Sequence, residues 1–222
     1  EQQPDAVLIY AGHNEYLGIM GVGSAYTAAN SRGATLLYLK LKDLRIFQLL
    51  QKIYHWFAVS SDEETVDEAT ANKDTAKSAR TVMAKVARHK NIPEKSQLFE
   101  QGLRQFEQNM SLLLDKYQAA GIPVFISTIA SNLADQPPFS SAQMPTAQKA
   151  LLDKPVADFT EDDIQTLARI SDANRVADGY YKLGLVWLQR TEPQKAKEAF
   201  VQARQHDLLR FRAPNQINDI IR

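Results

Sequence analysis

Four apolar residues in a row, Val7, Leu8, Ile9 and Tyr10, stand between Pro4-Asp5 and Ala11-Gly12, a pattern that predicts a short buried strand. Gly12 is placed to turn the chain sharply out of it, because glycine adopts positive φ without steric cost. Residues 18–33 are small and polar, interrupted by Gly18, Gly21, Gly23 and Gly33, and read as a loop leaving the strand end. Apolar positions return between Leu36 and Phe57 as one helix, ordinarily one packed between neighbours rather than a lid or an interfacial helix. Lys40, Lys42, Asp43 and Arg45 keep it from spanning a bilayer. Residues 60–78 open acid-rich and read as a solvated linker, and 80–90 as an amphipathic helix with a basic wet face.

From Glu94 to Ala120 the pattern is plainly helical: Phe99, Leu103, Phe106, Met110, Leu113 and Tyr117 alternate steps of four and three. Gly121 suits the position after a helix end, and Val124 to Thr128 then reads as a second strand. Strand, helix, strand predicts a parallel pair with a right-handed crossover. The excursion far exceeds what one helix needs, so residues of roughly 20 to 90 read as an insertion over the strand ends. The second strand runs to Ser131-Asn132, so both strand ends deliver an amide, Asn14 and Asn132, to the same sheet edge. Asn132 is a candidate substrate contact there, or a turn former before Pro137-Pro138. Ser131 lacks glycine neighbours for a strained elbow and makes a poor nucleophile.

Further on, Thr160 with Asp163 predicts a capping box opening a helix through Ile164 and Ile170. A helical hairpin follows, Tyr180 to Trp187 and then a second helix from Pro193 carrying Ala196, Phe200 and Ala203.

With 26 basic and 26 acidic residues the net charge is zero, so bulk electrostatics gives no argument for nucleic acid or an anionic surface. The absence of cysteine removes disulfides, thiolate catalysis and zinc–thiolate sites, and fits cytoplasm and bacterial envelope alike. His13, His55, His89 and His206 show no ligand spacing, so neither a metal nor a cofactor is expected.

Gly12-His13-Asn14-Glu15 after a hydrophobic strand resembles the Gly-x-Asn-Asp block of the SGNH (GDSL-type) serine hydrolases, with Glu15 standing where that family has Asp. The resemblance implies an α/β/α sandwich, an ester or acyl substrate, and Asn14 as an oxyanion-hole donor, with Gly12 shaping the turn. The family's Gly-Asp-Ser nucleophile block and Asp-x-x-His block do not occur in the chain. The expectation is therefore an interior piece of a longer protein, inactive by itself. Tyr180, Leu183, Gly184, Trp187, Ala196, Phe200 and Ala203 resemble one tetratricopeptide unit, with Leu208 where proline is usual, and imply a protein or peptide partner. The expected class is helix-rich α/β: an SGNH-like portion with few strands over 1–145, a tetratricopeptide-like hairpin over 155–210, and the start of a truncated segment at 211–222. A hydrolase fragment and an interaction scaffold on a degenerate hydrolase fold are the two functional expectations.

Overall fold

The computed structural model describes residues 4–17, 21–23, positions 40, 41, 44, 45 and 49, and residues 91–222. The expected loop, apolar helix, acidic linker and basic helix between residues 24 and 90 lie outside the described residues, apart from those five positions.

Strands β1 (Val7–Ile9) and β2 (Val124–Ile126) pair in parallel, with Val7 opposite Val124, Leu8 opposite Phe125 and Ile9 opposite Ile126. Between them in sequence lies helix α1 (Gln97–Ala119), capped by the Ser96 hydroxyl, which accepts from the Phe99 amide. It begins three residues later than the expected start at Glu94 because Lys95 takes a positive φ of 64°. Its end is as the glycine predicts. Gly121 has φ 68°, its N–H donates to Gln118 O, and that of Ile122 donates to Tyr117 O, so the last carbonyls are satisfied. Phe99, Phe106 and Met110 are buried. The expected stripe drifts after that: Leu114 packs on the core while Leu113 faces solvent.

The first core joins Ile9, Phe106, Met110, Ile129, Ala213 and Ile217. Residues 211–222 thus turn back onto the sheet, where α6 (Asn215–Ile221) packs beside α1. Only one face of the sheet is covered by described residues. On the other, Leu8 and Phe125 remain 76% and 62% exposed, although a parallel sheet ordinarily buries both faces.

The second half is helical. A short turn, α2 (Ala150–Asp153), precedes α3 (Glu161–Asn174). Thr160 and Asp163 form the expected capping box, and Lys154 also donates to Asp163 at 2.5 Å, holding that carboxyl down at about 2. Helices α4 (Ala177–Gln189) and α5 (Pro193–Gln205) form the hairpin. They approach where Gly184 meets the Phe200 ring: a Cβ there would lie 2.4 Å from a ring carbon. Ile164 and Leu167 of α3 pack against Leu183 and Val186 of α4, so α3 is the third helix that the hairpin needs.

A strap of residues 206–214 ties the halves together. The Asp207 carboxylate accepts from the backbone N–H groups of Phe139 (2.9 Å), Ser140 (3.0 Å) and Leu209 (3.1 Å), and from Arg212 Nη2 at 3.1 Å. Arg210 is 1% exposed; it donates to Ile92 O and Gln205 O and lies 5.0 Å over the Phe99 ring. His206 stacks on Tyr180 and approaches Glu94 at 3.7 Å. Burial, helped by the nearby Arg175 and Arg210 charges, outweighs Glu94 and Asp172 and holds its imidazole below the usual range.

Two outcomes follow from the strap. Asp207→Ala leaves Arg212 without its counter-charge and three amides without an acceptor, and should cost about 3–5 kcal/mol in urea unfolding. The His206 contribution is complete above the unfolded histidine pKa of about 6.5 and is lost as pH falls below it toward the lower folded value. Stability measured from pH 8 to pH 5 should therefore decline below about 6.5, and His206→Gln should flatten that decline.

Candidate functional site

The carboxyl end of β1 opens into a cleft of about 370 Å³ lined by Tyr10, Ala11, Gly12, His13, Asn14, Glu15 and Ile129. Ligands of open α/β sheets ordinarily bind at this end of the strands. Gly12 takes φ 142°, a region that side chains rarely adopt, and a Cβ there would lie 2.3 Å from Ile129 Cδ1 and 2.8 Å from Ile217 Cγ2. Both its conformation and its crowding against Ile129, which follows β2, and Ile217 of α6 require glycine.

His13 is gripped from two sides. The Ala213 N–H donates to its Nδ1 at 3.2 Å, and its Nε2 lies 2.9 Å from Ala130 O. An amide only donates and a carbonyl only accepts, so the geometry selects the neutral tautomer with hydrogen on Nε2. The ring's single lone pair is already occupied, and its role is to lock β1, the β2 end and the strap together. Alongside it, the Ala130 N–H donates to the Tyr10 hydroxyl at 3.1 Å. Asn218 of α6 clasps Ile129 as a second strand would, accepting from its N–H at 2.7 Å and donating to its C=O at 3.0 Å.

Asn14 follows directly, exposed, with no hydrogen bond to its amide among the described residues. Beside it, burial raises the Glu15 carboxyl above the usual range. The cleft therefore presents an unengaged amide donor next to a carboxyl that resists ionisation.

Gly12 and Asn14 come together in this cleft; Asn132 does not join them there. Its Oδ1 accepts from the Asp135 N–H at 3.0 Å and its Nδ2 reaches Asp135 Oδ2 at 3.4 Å, so the amide closes its own turn. The Ser131 hydroxyl accepts from Arg204 Nη1 at 3.2 Å. Tyr10, Asn218 and the strap arginines were not singled out by sequence. The one available signal was the pairing of polar side chains with the irregular backbone that follows β2, and sequence spacing does not reveal it.

Among the described residues no group of three or more His, Asp or Glu side chains could hold a metal ion, and no helix is long and apolar enough to cross a membrane. No family model matches the chain, and neither curated proteins nor solved structures give a match.

Gly12→Ala should cost about 2–4 kcal/mol in chemical denaturation, the sum of an unfavourable φ and a steric overlap with Ile129 and Ile217.

Proposed function

We propose that this chain supplies the oxyanion side of a serine-dependent ester or acyl hydrolase site, with Asn14 as the donor and Gly12 fixing its approach. One observation carries the reading: an exposed amide with no partner among the described residues stands in a cleft at the carboxyl end of a parallel strand. The resemblance of Gly12-His13-Asn14 to the SGNH block supports it. The nucleophilic serine and its base belong in this reading to sequence outside these residues, and the chain alone does not turn over substrate. Asn132 carries no contact in it, since its amide is committed to Asp135.

A second reading gives the function to the helical half, as a tetratricopeptide-type module for a peptide or protein partner. It is supported by the close α4–α5 packing at Gly184 and by Leu188, which is exposed at the end of α4.

The two separate on the full-length polypeptide treated with a fluorophosphonate probe, with this chain as control. One labelled serine outside the chain, and none within it, is the expected result. Asn14→Ala should then lower kcat for p-nitrophenyl acetate by about 100- to 1000-fold with unchanged urea unfolding, the loss of one oxyanion donor. Unlabelled but folded protein, or full turnover by the variant, would reject the hydrolase reading and leave the interaction module.

A further inference from the structure

Among the described residues, Arg204, in the last turn of α5, pairs with no acidic side chain. Its Nη1 donates to the Ser131 hydroxyl and its Nη2 to Asn215 Oδ1, and both partners are neutral. Its Nε–H is buried and meets no acceptor among the described residues. Among the described residues, the charge acting on it is that of Arg212, which has the same sign and is itself matched by Asp207. A half-buried charge left in this state is costly, and proteins ordinarily balance one with a carboxylate or another anion.

Its position gives the imbalance a meaning. Ser131 follows Ala130, the residue that holds His13 and Tyr10, and Asn215 lies two residues beyond Ala213, which holds His13 from the other side. The guanidinium therefore bridges the two segments, at Ser131 and Asn215, whose neighbours Ala130 and Ala213 hold His13 at the cleft. Ser131 and Asn215 take one hydrogen from each Nη, leaving one on each for a ligand. Arg210 and Arg212 also carry an unpaired nitrogen, but at 1% and 7% exposure they are closed to a ligand, whereas Arg204 is partly open.

We propose that Arg204 anchors an oxyanion, a carboxylate or phosphate group belonging to the ligand of the adjoining cleft. The planar fork of an arginine matches either group through paired charge-assisted hydrogen bonds. The inference rests on the cleft being a ligand site, as proposed above, but not on the reaction performed there.

The test is a titration of the 222-residue chain with sodium phosphate and, separately, with sodium acetate, at ionic strength held constant with chloride. The arginine Nε–Hε resonances are followed by NMR, and thermal unfolding is measured in parallel. One resonance, assigned by its loss in Arg204→Gln, should shift saturably, and phosphate or acetate should raise the melting temperature. Arg204→Gln should weaken binding at least about tenfold, the scale of a charge-assisted pair. Arg204→Lys keeps the charge but loses the fork, should also bind more weakly, and serves if the Gln variant does not fold. Saturation by phosphate alone identifies a phosphate ligand, by acetate alone a carboxylate one, and by both a shared oxyanion site. Failure of both anions to saturate the resonance, or an undiminished response in the variants, overturns the proposal. It does so whatever the serine labelling shows, so the two readings fail separately.

Discussion

A buried carboxylate surrounded by donors holds the two halves of this protein in register. Asp207 draws the loop at Phe139 and Ser140 onto the strap and fixes Arg212, which in turn donates to Gln136 O at 2.7 Å. Arg210 is driven into the space between α1 and the strap by the same turn of chain, where two carbonyls and an aromatic face replace its water. Buried ionic groups of this kind add little net stability against an apolar alternative, but leaving one unpaired is expensive. Their effect is therefore to make one arrangement of strap, loop and helix strongly preferred over others. The cleft inherits that arrangement, because Ala213 within the strap grips His13 and Asn218 just beyond it grips Ile129.

What could be read from sequence divides along a physical line. Features set by near neighbours were legible: the Thr160–Asp163 capping box, the glycine after α1, proline opening α5, and Gly12 at positive φ; the parallel strand pair was legible too, from the strand–helix–strand order. Features set by distant partners were not. Arg210 and Arg212 read as ordinary charged residues, since nothing within a few positions says that Ile92 or Gln136 will meet them. Asn132 read as a ligand contact or, with more weight, a turn former, and the structure places its amide in the turn. The stripe on α1 was right for three turns and then drifted, because 3.6 residues per turn carries a strict four-three alternation slowly off the buried face.

The candidate site shows the same division at closer range. Its donor and its glycine were visible as a local pattern, while the wall behind them is built by residues 129–131 and 213–218 from elsewhere in the chain. His13 has the structural role that its lack of an acid partner suggests, as a clamp. Asn14, its immediate neighbour, is left unengaged among the described residues by the same clamp, because the turn is held by the imidazole and by Gly12 packing rather than by the amide. The turn is thus held rigid through one residue while the side chain of the next is spared.

The bond between His13 and Ala213 spans 200 residues. During synthesis at about 5–20 residues per second, β1 leaves the ribosome about 10–40 seconds before the segment that completes its core exists. Until β2 follows it out, the Val7–Tyr10 run is apolar, rich in strand-forming residues and without its strand partner, the kind of segment that chaperones and aggregation compete for. The long closure that shapes the cleft therefore makes the birth of this fold its most vulnerable moment.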